Sequence, residues 1–488
     1  MEEEKYVNYK VVLKILGNVI EYVLALLLIP MAIAIYYGEG DAKSFLYTII
    51  IGLPIALVLS SVKVKKQEIY AKEGFVIVGL AWIVISIIGA LPFVISGAIP
   101  SFIDAFFETV SGFTTTGATL LTEIEGLPKG ILFWRSFTHW IGGMGFLIFM
   151  LALIPSMGKN SIHLLKAESP GPAPGKIVPK IKDTAKILYL IYLALTLIEL
   201  VLLKIAGMDW YDATIHAMGT AGTGGFSDMN ANIAAFHSPA IDWIITIFMT
   251  IFGINFALYF QLLKGNIKGF FKNEELKYYL LIILVAVILI TFNILGLNNG
   301  DVALSIRQAA FQVTSIVTST GYATVDYNFW PTLSQSILVM LMLVGAMAGS
   351  TGGGIKTVRV VIMLKAIKRE INKIIHPKRI NSVKIDGRAV DEELIHGIFL
   401  FIGAYAIISL IAIFIISFDN FDFTTTITSV ITTMSNIGPG LGMVGPAGNF
   451  SAFSPFSKLV FSFCMLAGRL EIYPMIILFS PSIWRKNH

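Results

Sequence analysis

Apolar runs long enough to cross a bilayer alternate along this chain with polar connections, and that alternation sets its class before any local motif does. The first run opens near Val11 behind Met1-Glu2-Glu3-Glu4-Lys5. It exceeds about 20 residues with no small-residue cleavage site, so it reads as a retained helix rather than a signal peptide. Further runs cover residues 44–62, 75–99, 131–154, 185–207, 240–263, 279–297, 334–364, 394–418 and 458–480. Each is expected to cross as one helix, since about 20 residues rising about 1.5 Å each span a hydrocarbon core of about 30 Å.

The connections differ in charge. Lys63, Lys65, Lys66 and Lys72 sit in one, and Lys159, Lys166, Lys176, Lys180 and Lys182 in the next on that side. Lys264, Lys268, Lys272 and Lys277 continue the series, and the run from Lys365 to Arg388 is the densest. Excess Lys and Arg marks cytoplasmic loops, so these alternate connections, and with them both termini, are expected inside. The stretch Ser169-Pro170-Gly171-Pro172-Ala173-Pro174-Gly175 reads as a stiff cytoplasmic linker between two halves.

Composition agrees. Of 488 residues 56% are hydrophobic and only 14% charged, which excludes an ordinary soluble multidomain chain. A formal charge of +5 is too small an excess to point to nucleic acid. One cysteine forbids an internal disulfide, and the 7 scattered histidines, His139 and His216 among them, form no metal-ligand spacing. A membrane enzyme would need a convergent nucleophile or metal cluster, and the sequence offers none.

Four outer connections are long, semi-apolar and rich in Thr, Ser and Gly. They read Thr114-Thr115-Thr116-Gly117-Ala118-Thr119, Ala221-Gly222-Thr223-Gly224-Gly225-Phe226, Thr318-Ser319-Thr320-Gly321-Tyr322-Ala323 and Ser435-Asn436-Ile437-Gly438-Pro439-Gly440. Taken in register on Gly117, Gly224, Gly321 and Gly438, they lie 107, 97 and 117 residues apart, a fourfold internal repeat. Each unit parses as a helix, a short segment unable to span, a glycine turn and a second helix. The expected architecture is all-α and polytopic, with an N-terminal two-helix extension (1–70) and units at 71–160, 161–272, 273–388 and 389–488. Non-helical backbone at membrane depth is tolerated only where it is packed in protein or lines water, so four such turns should converge on one aqueous axis. Glycine admits positive φ and close approach, and a ring of carbonyls can replace the hydration shell of a monovalent cation, with Thr hydroxyls as further acceptors.

The segments before the turns, 102–113, 211–220, 302–317 and 423–434, are expected as half-helices whose negative C-terminal ends aim inward and favour cations. Asp104, Asp209, Asp212, Asp301, Asp419 and Asp422 stand at their starts, chiefly as helix caps and secondarily as an acidic vestibule.

The Thr115-Thr116-Gly117, Thr223-Gly224-Gly225-Phe226-Ser227, Ser319-Thr320-Gly321-Tyr322 and Asn436-Ile437-Gly438-Pro439-Gly440 turns resemble the signatures of the Trk/Ktr/HKT superfamily of cation transporters over nearly the whole chain. The two extra leading spans resemble its TrkH branch more than the shorter KtrB branch. The resemblance implies potassium uptake through a filter of Thr115, Thr116, Gly117, Thr223, Gly224, Thr320, Gly321, Ile437 and Gly438. It also implies a homodimer with one pore per subunit and a cytosolic TrkA-like ring of nucleotide-binding regulatory subunits. Because a serine at the first filter glycine goes with sodium preference in certain plant members, Gly117 implies K⁺ as the transported ion; no organic cofactor is implied.

The second helix of the third unit carries Gly345, Gly349, Gly352, Gly353 and Gly354 within ten residues. Interior glycines cost about 1 kcal/mol each relative to Ala, so this run marks a loop inside the membrane, which the resemblance makes a gate. It is no phosphate-binding loop, because Ile355 rather than glycine precedes Lys356. Arg469, inside the last apolar run, reads as a cation barrier at that gate or as a buried partner of Glu471, and Lys356 as a further gate residue. Glu21, Arg135, Glu199, Asp242 and Lys458 are intramembrane charges that either pair structurally or serve an ion route. Two mechanisms stay open: a gated, channel-like pore and an alternating-access symporter coupled to Na⁺ or H⁺.

Overall fold

The computed structural model describes residues 7–64, 70–145, 181–377 and 381–484. The proline-rich linker at 169–175, the basic residues between 146 and 180 and the C-terminal Arg485-Lys486 lie outside them. Among the described residues the chain is all-α apart from one small antiparallel hairpin, Lys384–Ile385 with Arg388–Ala389. It is a multi-pass membrane protein, and among the described residues six helices are long and apolar enough to cross a bilayer, or seven if one sharply bent pair counts as a span.

Four of these long helices (Ala71–Ser96, Ile181–Ile205, Glu274–Ile294 and Glu392–Ile416) each precede a short one: Phe102–Phe113, Trp210–Gly222, Val302–Val317 and Phe423–Met434. The short helices start where the sequence supplies caps. Ser101 accepts from Asp104 N (3.4 Å), Asp301 from Leu304 N (3.0 Å) and Asp422 from Thr425 N (3.0 Å). Asp209 occupies the remaining cap position without a side-chain bond, and Asp419 instead accepts from Ser454 N (2.9 Å), tying it to the next helix.

The expected straight second helices differ from those observed. Lys129–Gly143, Pro239–Phe252, Thr332–Val344 and Pro455–Arg469 each stop after 13 to 15 residues. The run at 240–263 is two helices meeting at 91° across Gly253-Ile254-Asn255, and the run at 458–480 breaks at Glu471 and Ile472, both at positive φ. Asn255 makes the first break by capping Phe256–Leu263 through Ala257 N (2.9 Å). Hydropathy stays high across the first break, so the apolar pattern does not register it, whereas Arg469, Glu471 and Pro474 mark the second. Chain ends at this depth need partners for freed carbonyls and amides, and the site supplies them.

The N-terminal helices lean on this frame. Tyr9–Leu26 crosses Ala42–Ser60 closely at Gly17, where a Cβ would stand 2.3 Å from Ser60 N and 2.9 Å from Ala56 O. Ser60 donates to Glu21 (2.5 Å), so this intramembrane carboxylate joins two helices. Close approach through small residues is how helices associate in lipid. Gly17→Val is therefore expected to lower the melting temperature of the detergent-purified protein, by about 1–3 kcal/mol in overpacking. A melting curve identical to wild type would show that this crossing does not carry stability.

Candidate functional site

The four short helices run directly into non-helical turns built alike. Two residues before the glycine stands a non-glycine in the left-handed region: Thr115 (φ 54°), Thr223 (54°), Ser319 (59°) and Asn436 (56°). The glycines that follow are Gly117 (79°), Gly225 (78°), Gly321 (81°) and Gly438 (97°). Between them, Thr116, Gly224, Thr320 and Ile437 each donate N–H to the helix carbonyl five residues back, at 2.9, 2.8, 2.8 and 2.9 Å. The second turn thus sits one residue away from the register read in sequence. Gly225 is the left-handed glycine, and Gly224 stands where the other turns have Thr116, Thr320 and Ile437. Adjacent glycines made the two alignments indistinguishable by spacing; only the backbone angle separates them.

The turns close on one another. A Cβ built on Gly117 would lie 2.0 Å from Gly224 O, on Gly225 2.0 Å from Thr320 O, on Gly321 2.1 Å from Ile437 O, and on Gly438 2.6 Å from Thr116 O. Each left-handed glycine therefore packs on the carbonyl of the next turn, first on second, second on third, third on fourth and fourth on first. No side chain fits at any of the four positions, for steric as well as torsional reasons. Above the ring opens a cavity of about 150 Å³ lined by Gly117, Gly225, Gly321, Gly438, Arg135 and Asn232 among others.

The hydroxyls are less free than the sequence implied. Thr116 and Thr320 bond the hydroxyls of Thr114 and Thr318 (both 2.8 Å), Thr116 also accepts from Asn436 Nδ2 (3.0 Å), and Thr223 donates to Gly222 O (2.6 Å). These three hydroxyls are spent holding the turns together. Thr115 is fully buried, its hydroxyl without a hydrogen-bond partner.

Against the helix side of the ring lies the glycine-rich segment between Thr332–Val344 and Thr357–Ile375. A Cβ on Gly352 would meet Thr318 O at 2.8 Å and one on Gly353 would meet Ser435 O at 2.4 Å, so the segment touches the third and fourth turns directly. Gly353 N donates to Ser319 Oγ (2.6 Å). Gly345, Gly349 and Gly354 adopt φ of 73°, 75° and 79°, and a Cβ built on Gly354 would meet Gly345 Cα at 2.8 Å. The segment also fills the break of the bent pair at Gly253: Met347 N donates to Gly253 O (3.1 Å), Phe256 N to Gly349 O (3.0 Å) and Thr351 Oγ1 to Phe252 O (3.2 Å). Lys356, at φ 79°, turns back to donate to Gly352 O.

Arg469 ends Pro455–Arg469 and donates to Thr351 O (2.8 Å), Gly142 O (2.5 Å) and Gly143 O (2.7 Å). It joins the glycine segment to the end of Lys129–Gly143, so the segment is tied to the first unit through this side chain. Glu471 pairs not with Arg469 but with Arg359, whose guanidinium carbon lies 4.3 Å from the Phe401 ring centroid. The other intramembrane charges also find partners: Arg135 with Glu108 (2.7 Å), Asp242 with Arg307 (3.3 Å) and Lys458 with Asp104 (2.9 Å). Glu199 is the exception, fully buried and without an ion-pair partner among the described residues. His139 Nδ1 lies 2.7 Å from Gly112 O and His216 Nδ1 2.7 Å from Asp212 O, hydrogen bonds to backbone carbonyls.

Sequence reasoning missed Gly225, Asn255, Glu108 and the Arg359–Glu471 pair. Gly225 and Asn255 carried local signals, a second glycine and a polar residue inside an apolar run. The ion pairs join residues 27 and 112 positions apart, which no local pattern links.

Short helices ending on a closed ring of irregular backbone, in a chain of membrane-crossing helices, define a polytopic protein of the membrane-transport class. The chain belongs to the TrkH family of cation transport proteins, whose family model matches residues 42–486. It is 37% identical over 485 residues, 98% of this chain and 100% of the relative, to the Trk system potassium uptake protein TrkH of Escherichia coli. It is 32% identical to TrkI of Halomonas elongata, with 97% of each chain covered. The crystal structure of the potassium transporter TrkH from Vibrio parahaemolyticus superposes with a TM-score of 0.88 at 32% identity, covering 98% of this chain and 100% of that one. The resemblance read from the turn sequences is borne out by these matches.

Breaking the Arg359–Glu471 pair leaves a buried charge alone, at a cost of about 3–5 kcal/mol, whereas replacing both partners by apolar residues is close to neutral. Glu471→Met alone is expected to lower thermal stability by several kcal/mol, and Arg359→Met with Glu471→Met to recover most of that loss. A double variant as unstable as the single one would contradict a pairing role.

Proposed function

We propose that this chain takes up K⁺ across the cytoplasmic inner membrane through a gated, channel-like pore. Its selectivity filter is made by Thr115, Thr116, Gly117, Thr223, Gly224, Thr320, Gly321, Ile437 and Gly438, with Gly225 added. The carrying observation is the closed ring, in which each turn's left-handed glycine packs on the next turn's carbonyl. Four such backbone segments offer carbonyl oxygens to a dehydrated cation at a place where no side chain fits. The short helices end at the ring, so their negative dipole ends favour a cation just below it. The relatives are named as potassium uptake proteins, which supports K⁺ as the substrate. The domain reading is a two-helix extension followed by four units, with both termini cytoplasmic.

Gly345, Gly349, Gly352, Gly353, Gly354, Lys356 and Arg469 form the gate. The segment lies against the third and fourth turns on the side away from the vestibule, and Arg469 crosslinks it to Gly142 and Gly143. Opening requires that Arg469 release Thr351 O and that Lys356 release Gly352 O, both short-range contacts that a rearrangement of the cytoplasmic ends can break. The working assembly is a homodimer, each subunit with its own pore, on a cytosolic nucleotide-binding ring of TrkA type, whose docking supplies that rearrangement. The relatives' naming as members of a Trk system supports a multi-component assembly.

Two outcomes test this reading in liposomes containing the purified chain. Deleting residues 345–354 is expected to raise selective Rb⁺ flux, and Gly117→Ser to lower the Rb⁺-to-Na⁺ flux ratio by tenfold or more. A loop deletion that leaves flux at wild-type level removes the gate, and an unchanged ratio in Gly117→Ser removes the filter. Flux limited to the slow turnover of a rocking cycle would favour the alternating-access mechanism instead.

A further inference from the structure

Nine residues before each left-handed glycine, the four short helices carry Glu108, His216, Gln312 and Ser429, all buried. Three of them reach the chain as it leaves the ring. Glu108 accepts from Thr119 Oγ1 (2.8 Å) and Leu120 N (2.9 Å). His216 Nε2 lies 2.9 Å from Ser227 Oγ, and Gln312 Nε2 donates to Thr324 Oγ1 (3.3 Å). In the fourth helix Ser429 donates to its own helix at Thr426 O (3.0 Å), and Thr428 takes over by accepting from Leu441 N (3.0 Å). The position therefore acts as a strut between each short helix and the exit strand of its turn, in three chemistries and one substitute.

Only the first strut is a carboxylate, and it is matched across a seam. Arg135 Nε donates to Glu108 Oε1 at 2.7 Å with side chains 2% and 0% exposed. Arg135 Nη1 donates to Ser227 O (3.0 Å), and the guanidinium carbon lies 3.5 Å from the Phe226 ring centroid. The pair thus holds Thr119 and Leu120, leaving the first turn, against Phe226 and Ser227, leaving the second. Those turns meet at Gly117 and Gly224, where the contact is tight. A buried guanidinium–carboxylate pair is expensive to desolvate and serves geometry better than stability. Arginine's planar fork fixes direction where a lysine would give only a point charge.

We propose that Glu108 and Arg135 are positioning residues that set the width of the ring at the seam between its first and second turns, and so set cation selectivity. The proposal rests on the reading of the ring as a filter. When the brace is lost the seam relaxes, and carbonyls no longer held at one spacing discriminate less between K⁺ and the smaller Na⁺.

The test is the Rb⁺-to-Na⁺ flux ratio, measured in the same liposomes for each variant so that the amount of folded protein cancels. Glu108→Gln keeps the shape and one acceptor oxygen but removes the charge, and Arg135→Lys keeps the charge but loses the fork. Both are expected to lower the ratio at least fivefold while total cation flux persists. Thr119→Val removes one donor to the same carboxylate and no charge, and is expected to lower the ratio less, in the same direction. It carries the test if the charge variants do not accumulate. Gly117→Ser runs alongside. If Gly117→Ser shifts the ratio and the accumulated brace variants do not, the brace proposal is overturned and the filter stands. If none of them shifts it, the filter reading itself has failed.

Discussion

Backbone that is not helical cannot be left bare at membrane depth, because each unpaired amide or carbonyl in hydrocarbon costs several kcal/mol. The structure meets that constraint in one place. Four short helices stop partway, their turns bond back to the helices through the same five-residue step, and the left-handed glycines seat on neighbouring carbonyls. The four broken second helices follow from the same demand. They end near the ring, and their freed groups are taken up by the glycine segment, as Gly253 O and Phe252 O are, or by Arg469, as Gly142 O and Gly143 O are. On the proposed reading, the carbonyl oxygens of the four turns supply the chemistry a dehydrated monovalent cation requires.

The charged residues inside the frame are paired across elements. Glu108 with Arg135, Arg359 with Glu471, Lys458 with Asp104 and Asp242 with Arg307 each connect elements distant in sequence. Such pairs add little net stability over apolar packing but are costly to break singly, so they fix which helix faces which. Arg469 differs, since its hydrogen bonds run to the backbone carbonyls of Thr351, Gly142 and Gly143, and on the proposed reading it is the barrier at the gate.

Much of this was legible in the sequence because it is periodic or punctuated. The short helices were visible as apolar segments too brief to span and begun beside aspartates, although the first is capped by Ser101 rather than by Asp104, and the glycine run between Val344 and Ile355 could not be helical. The second turn's register was not legible, since Gly224 and Gly225 satisfy the same spacing and differ only in φ. The break at Gly253 was hidden because apolar residues continue on both sides, with Asn255 as its sole polar sign, whereas the break at Glu471 carried signals in Arg469, Glu471 and Pro474 that the apolar run at 458–480 passed over. Partners such as Glu108 and Arg135 are set by tertiary approach across a seam, and one chain's local pattern holds no record of it.

The central claim is that the ring of carbonyls selects K⁺ by dehydrated coordination. Its most direct measurement is the zero-current potential across a bilayer containing the chain without residues 345–354, with K⁺ on one side and Na⁺ at equal concentration on the other. A potential strongly biased toward K⁺, and abolished by Gly225→Ala, is the expected result. A potential near zero in the deletion protein would contradict it.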